Sequence, residues 1–178
     1  MRGHRLVLAL FAGLVCLPGC VTSHDRRTVG SVIDDQAIEF KIGRSLLADK
    51  ELESVNINAT SINGMVLLTG EAPTTELRDR VLAAVRTVAG VRRTVNEVHI
   101  APASPASSRA NDSWLTSKVK AKLIGLKNFD SSQIKIVTER ATVYLMGLVK
   151  KDEADLAATT AAEVGGVERV VKIFEYLD

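Results

Sequence analysis

The chain has 178 residues, of which 46% are hydrophobic and 25% charged, and this composition indicates one or two small globular domains. Aromatic residues make up only 4%, so the core is predicted to be aliphatic. The formal net charge is +2, and without Arg2 and Arg5 it is zero, because 21 basic residues then face 21 acidic ones. A neutral chain has no global basic field, so nucleic acid is excluded as the expected partner.

The first residues have the pattern of a targeting segment. Arg2 and Arg5 precede an unbroken apolar run from Leu6 to Val15. Ten residues are too few to span the hydrocarbon core of a bilayer, which needs about 20. This length is typical of a signal peptide, and we predict one over residues 1–19.

Leu17-Pro18-Gly19-Cys20 resembles the lipobox of bacterial lipoproteins. The resemblance implies cleavage before Cys20, a diacylglycerol on its sulfur and a further fatty acid, such as palmitate, on the new amino terminus. Several acyl chains on one residue give stable anchoring. In the lipoprotein pattern an Asp at the position of Val21 commonly causes retention at the inner membrane, so its absence implies the outer membrane, with residues 20–32 as a tether. The alternative is an ordinary signal peptide with a chance cysteine.

An internal repeat organises the rest of the chain. Residues 33–100 and 112–178 align with an offset of 77, which falls to 76 near the end. The apolar positions of the first helix show the match: Ile38, Ile42 and Leu46 correspond to Leu115, Val119 and Leu123. Residues 101–111 between the copies are rich in Pro, Ser and Ala without apolar periodicity, so we predict a linker joining two independent domains.

Each copy is predicted to fold as helix, strand, strand, helix, strand, in the α+β class. In the first copy, apolar residues at helical spacing flank two strands joined by Asn63-Gly64, a dipeptide that favours a type I′ hairpin turn. Gly90 ends the second helix, and residues 91–100 form the last strand. The crossover makes a three-stranded mixed sheet with both helices on one face.

The second copy departs from this pattern at two places. Arg140-Ala141 replaces Asn63-Gly64, which weakens the prediction of a hairpin turn there. Its second helix carries small residues on the expected core stripe, which predicts closer packing against the sheet: Ala154, Ala158, Ala161 and Ala162.

The repeat resembles the BON domain. The resemblance is carried by a glycine after the second strand, Gly70 and Gly147, and by the Gly-Val patterns at Gly90-Val91 and Gly166-Val167. Two tandem copies behind a lipobox resemble the dual-BON-domain outer-membrane lipoproteins. That resemblance implies a protein facing the periplasm, a role in outer-membrane integrity, and possible recruitment to division sites.

No catalytic constellation is evident. The three histidines, His4, His24 and His99, have no second ligand at metal spacing, and no nucleophile elbow or phosphate loop is present. Asp34-Asp35 and Asp152-Glu153 lie at predicted helix starts, where a favourable interaction with the helix dipole explains them better than acid–base catalysis. Cys16 leaves with the signal peptide and Cys20 carries lipid, so no thiol site remains. We predict a protein that is not an enzyme and holds no metal or cofactor besides the covalent lipid.

One feature occurs in only one copy. Trp114 replaces Ala37 on the first helix of the second copy, next to a run of lysines. Trp114 lies about 100° around the helix from the core residue Leu115. The residues alone leave two interpretations open: a Trp–Lys face at a lipid headgroup interface, or a partly buried Trp that covers the sheet edge. The family resemblance favours the lipid face, with five candidate residues: Trp114, Leu115, Lys118, Lys120 and Lys122.

Two functions follow as hypotheses. The first is binding of anionic phospholipid, such as phosphatidylglycerol or cardiolipin, in the inner leaflet of the outer membrane through the second domain. The second is a periplasmic protein-interaction or chaperone-like adaptor, acting on outer-membrane protein assembly machinery, with the first domain as the partner surface.

Overall fold

The computed structural model describes residues 28–177. Four helices and six strands follow one another in two equal sets, interrupted by short 3₁₀ turns at Lys50–Leu52 and Ser131–Gln133. The first set is α1 (Val29–Ala48), β1 (Asn56–Ile62), β2 (Met65–Ala72), α2 (Thr75–Arg86) and β3 (Arg93–Ile100). The second set is α3 (Ala106–Ile124), β4 (Ile134–Glu139), β5 (Thr142–Val149), α4 (Lys151–Ala162) and β6 (Arg169–Tyr176).

The two sheets have the same topology. β2 is the central strand of the first sheet, antiparallel to β1 and parallel to β3, and β5 has the same place between β4 and β6. The parallel pair in each sheet is joined by a crossover helix, α2 or α4, as predicted. The α+β class and the order of elements in each copy are therefore confirmed.

The repeated glycine, Gly70 or Gly147, lies inside the second strand of each domain rather than after it, and its presence has a steric cause. A Cβ on Gly70 would overlap the backbone carbonyl of Asn56, and φ at Gly70 is +110°, in the region that favours glycine. A Cβ on Gly147 would lie 2.5 Å from the carbonyl oxygen of Gln133. In both domains the edge strand therefore passes too close to the central strand for any side chain at this position.

Three apolar clusters hold the molecule together. One lies between α1, α2 and the first sheet, and one lies between α3, α4 and the second sheet. The third joins the opposite faces of the two sheets and contains residues from both domains: Ile62, Met65, Leu67, Tyr144, Met146 and Ile173. The layers therefore run helix, sheet, sheet, helix, and the two domains predicted as independent units share a buried interface.

The hairpin turn is the same in both domains. Asn63 and Gly64 have φ of 51° and 74°, which confirms the predicted turn. Arg140 and Ala141 have φ of 50° and 58°, so the second domain makes this turn without the residues that favour it. A left-handed conformation costs a non-glycine residue about 1–2 kcal/mol, so another group must stabilise the turn.

That group is a buried aspartate from the first helix of each domain. Asp112 accepts hydrogen bonds from the backbone N–H of Arg140 at 3.0 Å and of Ala141 at 2.9 Å. Asp35 accepts from the N–H of Asn63 at 2.8 Å and of Gly64 at 2.9 Å. The helix-start interpretation of Asp34-Asp35 is therefore wrong: α1 begins at Val29, and Asp35 anchors the hairpin.

Other helix boundaries also differ from the sequence pattern. α3 begins at Ala106, inside the segment assigned to the linker, because Pro105 provides an extended residue before the first turn. Asp152 and Glu153 do lie in the first turn of α4, as predicted. The small-residue stripe of α4 is shifted, however: Ala154, Ala157 and Ala161 are buried, Ala158 is half-buried and Ala162 is exposed.

The predicted signal peptide and Cys20 lie outside the described residues. Within residues 28–177, no helix combines the length and the hydropathy that crossing a bilayer requires.

Candidate functional site

Trp114 lies on the outer surface of α3. Its side chain is 54% exposed, which makes it one of the large apolar residues that the fold leaves uncovered. The ammonium of Lys118, one helical turn further on, lies 4.1 Å from the centroid of the indole ring. This is cation–π geometry, which orients the ring without burying it. Trp114 is therefore neither a core residue nor free of contacts.

The two lysines on this side of α3 also contact the turn that follows α4. Lys118 Nζ donates to the carbonyl oxygen of Gly165 at 3.2 Å, and Lys122 Nζ forms an ion pair with Glu163 at 3.3 Å. Both groups lie at the surface, so these contacts contribute little to stability. They hold one positive charge against the indole ring and a second one further along the same side of α3, and we call Trp114, Lys118 and Lys122 the Trp–Lys face.

The remaining two candidates lie elsewhere. Leu115 is fully buried in the core of the second domain, where its side chain packs against the backbone of Gly166. It therefore belongs to the core and cannot contact lipid in this structure. Lys120 is exposed but lies on the opposite flank of the helix, where it lines a cleft between the domains. The structure thus brings together three of the five residues selected from the sequence.

Two exposed apolar side chains on the outer helices of this domain were missed. Ile124 at the end of α3 is 61% exposed, and Leu156 on α4 is 44% exposed. The signal for Ile124 was available, because it falls outside the core stripe of Leu115, Val119 and Leu123. These residues extend the apolar character of the outer helical layer beyond Trp114.

The cleft between the domains has a volume of about 600 Å³ and runs along the free edge of β4. Glu139 lines it, and burial, with the nearby charges of Glu71 and Asp112, raises the pKa of the Glu139 carboxyl to about 7. Arg140 and Arg109 oppose this rise. The cleft therefore contains a carboxyl that is only partly ionised at neutral pH.

Polar contacts surround the apolar interface between the sheets. Lys135 of β4 donates to Glu39 at 3.0 Å and to the carbonyl of Ser61 at 2.6 Å, both in the first domain. Arg92 pairs with Glu175 at 2.6 Å at the opposite side of the interface. These cross-domain contacts fix how the two sheets sit against each other.

Glu71 is a fully buried carboxylate at this interface. Burial opposes its ionisation, but hydrogen bonds from Ser104 and Asn56 and the charge of Arg140 hold its pKa below the ordinary value. Tyr144 is also buried here and donates to Glu97 at 3.3 Å; burial raises the pKa of its hydroxyl to about 12. All these groups have partners within the interface, which assigns them a structural role.

Among residues 28–177 no group of three or more His, Cys, Asp or Glu side chains has the arrangement of a metal site. His99 lies on β3 at the end of the first domain, away from the Trp–Lys face.

The fold and the repeat define a tandem two-domain protein, and comparison with known families agrees. Residues 34–102 and 111–178 each match the BON domain, so the chain belongs to the BON domain family, with two copies. These matched ranges agree within two residues with the repeat at 33–100 and 112–178.

Several known proteins match most of this chain. The chain is 33% identical to the outer membrane lipoprotein DolP of Haemophilus influenzae over 95% of its own length and 94% of that protein. It is 32% identical to the 21 kDa hemolysin of Actinobacillus pleuropneumoniae over 86% and 79% of the two chains. It is also 28% identical to osmotically-inducible protein Y of Escherichia coli, over 80% and 72%. The resemblance to the BON domain and to dual-BON-domain outer-membrane lipoproteins is thereby confirmed.

Proposed function

We propose that this protein is a non-enzymatic outer-membrane lipoprotein, anchored through Cys20 and facing the periplasm, whose second BON domain binds anionic phospholipid. The relative named outer membrane lipoprotein DolP, which matches 95% of this chain, supports the location. The lipobox at Leu17 to Cys20 supports the anchor. A role in outer-membrane integrity, including at division sites, is part of this proposal.

The Trp–Lys face is the observation that carries the lipid-binding part. An indole that is 54% exposed, with an ammonium 4.1 Å from its ring, combines an apolar surface and a positive charge at one point. Such a pair suits the boundary between acyl chains and anionic headgroups. The first domain has Ala37 at the matching position, so the BON fold does not require the indole.

The lipid anchor lowers the affinity that this face needs. A protein held at the membrane by acyl chains meets the headgroups as an intramolecular partner at high effective concentration. Lys118 and Lys122 already have partners in the chain, so each adds less than a free lysine would. A weak, salt-sensitive contact made by the tethered domain is therefore the expected behaviour.

Vesicle binding tests this proposal. We expect the chain from residue 21 onward to float with vesicles containing phosphatidylglycerol, to ignore purely zwitterionic vesicles, and to lose binding as salt is raised. Trp114→Ala should abolish flotation while leaving the fold intact, because Ala37 occupies the matching position. The matched control is Lys120→Gly, which introduces the residue that the first domain has at the matching position, Gly43. This variant should bind as wild type does, since Lys120 lies on the opposite flank of α3 from Trp114.

A folded Trp114→Ala variant that floats as well as wild type would contradict lipid binding by the Trp–Lys face and would favour the adaptor function.

The anchor is tested separately in the full chain. Cys20→Ala should leave an unprocessed precursor that incorporates no labelled palmitate, and normal labelling of that variant would refute lipidation at Cys20.

A further inference from the structure

An exposed apolar stripe runs along α1 in the first domain. Its four members have large exposed fractions: Val29 76%, Ile33 59%, Phe40 65% and Leu47 89%. They lie opposite the buried residues Ile38 and Ile42, so the stripe faces away from the core. Gln36 and Gly43 fall between them and complete an alternating three- and four-residue spacing, the pattern of a seam between two paired helices.

The second domain shows that the BON fold does not need this stripe. The matching positions of α3 carry three residues that are small or polar and one that is apolar: Ala106, Ala110, Ser117 and Ile124. Both helices bury the same stripe on the opposite side against their sheets. Three of the four large apolar residues on the outer face of α1, Val29, Ile33 and Phe40, are therefore specific to the first domain.

Gly43 lies in the middle of the seam, and no contact within this chain requires a glycine at this position. A Cβ built on it meets nothing within 4 Å, and its backbone is helical. A glycine inside a helix costs about 1 kcal/mol relative to alanine, and the second domain has Lys120 at this position. A glycine between Phe40 and Leu47 does, however, allow a neighbouring helix to approach closely.

We propose that α1 pairs with α1 of a second copy of this chain, antiparallel and about a twofold axis. In one register all six seam positions find partners: Val29 faces Leu47 of the other copy, Ile33 faces Gly43, and Gln36 faces Phe40. Each pair occurs twice, as the symmetry of an isologous dimer requires. The branched side chain of Ile33 fills the space left by Gly43, and Arg44, whose guanidinium lies 5.9 Å from the Phe40 ring, borders the seam.

The order of layers favours a second copy over the bilayer as the cover of this stripe. α1 and α3 belong to the two outer layers of the molecule, on opposite sides of the sheet pair. A membrane that contacts the Trp–Lys face of α3 cannot also cover the outward face of α1. The choice of a second copy as the partner of this stripe rests on the proposed function. Lipid anchoring assists the pairing because it concentrates the copies in one plane.

Disulfide trapping of the full chain in intact cells tests the pairing and its register. The double variant Ile33→Cys with Gly43→Cys should form a disulfide-linked dimer under mild oxidation. Each single variant should not, because residue 33 of one copy lies about 15 Å along the helix from residue 33 of the other. The matched control is Ala110→Cys with Lys120→Cys, the same two positions on α3, which should give no dimer.

Phe40→Ser, the residue of the second domain, should reduce trapping by the double variant about tenfold, because it removes more than 1.4 kcal/mol of apolar contact. Circular dichroism should show an unchanged fold, since Phe40 is a surface residue. Absence of trapped dimer, or equal trapping by the control pair, would overturn the proposal. If no dimer is trapped and vesicle binding depends on Phe40, the bilayer and not a second copy covers the stripe. The effect of Trp114→Ala on lipid binding tests only the proposed function and leaves the pairing of α1 unaffected.

Discussion

The two BON domains of this chain share a backbone and differ in what they expose. Both anchor a hairpin turn with a buried aspartate, both pass an edge strand over a glycine, and both cover one sheet face with two helices. On the outer helices, the first domain has an apolar stripe and the second has a Trp–Lys pair. The shared residues therefore specify the fold, and the unshared surface residues are where we propose that the two domains bind different partners.

The largest effect is expected at the interface between the two sheets. Tyr144 is fully buried there, and Tyr144→Ala should lower the free energy of unfolding by about 3–5 kcal/mol. Tyr144→Leu, which introduces the matching residue Leu67, should cost much less. Because the sheets share this cluster, calorimetry should show both domains unfolding in one transition. Two separate transitions, with the first domain unaffected by Tyr144→Ala, would show that the domains are independent.

The next largest effect is expected at the aspartates that anchor the hairpins. Asp112→Ala should destabilise the protein by about 2–4 kcal/mol, because it leaves two backbone N–H groups of a strained turn without partners. Asp35→Ala should have an effect of similar size in the first domain. Asp34→Ala is the control and should be nearly neutral in denaturant unfolding, since Asp34 is exposed. Equal effects of Asp34→Ala and Asp35→Ala would contradict the anchoring role.

A smaller effect, visible only as pH dependence, is expected at Glu139, which stands where the first domain has Ile62. The pKa of Glu139 is raised from 4.5 to about 7, so the folded protein holds this proton more tightly than the unfolded chain does. The contribution of this protonated carboxyl to the free energy of unfolding is present at low pH and is lost as pH rises from 4.5 to about 7.

The variant Glu139→Gln isolates this contribution from other titrating groups. It should match wild-type stability near pH 4.5, become progressively more stable than wild type as pH rises from 4.5 to about 7, and keep a constant advantage above that. A constant difference between Glu139→Gln and wild type across this range would show that the carboxyl does not titrate in the cleft.

Much of each domain was predictable because local patterns repeat. Helical spacing of Ile38 and Ile42 and the Asn63-Gly64 turn each follow from local geometry, and both were confirmed, whereas Gly70 lies inside β2 and not after it. The turn at Arg140-Ala141 was less predictable, because its stability comes from Asp112, almost thirty residues away. The sequence did contain a signal for this contact, because Asp35 and Asp112 occupy equivalent positions in the two copies of the repeat.

The contact between the two sheets was not predicted, although β2 carried a sign of it. Every residue of Met65–Ala72 is buried, and a strand with an unbroken apolar run is typical of a sheet covered on both faces. The helices cover only one face, so the other required a partner. Leu115 illustrates a different difficulty: it directly follows Trp114, and that single step of about 100° around the helix divides the core from the surface.

The central claim, that the Trp–Lys face meets the membrane, can be measured at one residue, because Trp114 is the sole tryptophan of the chain. Its fluorescence reports the environment of this face directly. On addition of vesicles containing phosphatidylglycerol, the emission should shift to shorter wavelength as the half-exposed indole leaves water, and zwitterionic vesicles should leave it unchanged. An emission maximum that stays fixed while the protein binds anionic vesicles would contradict the account and place the lipid contact on another surface.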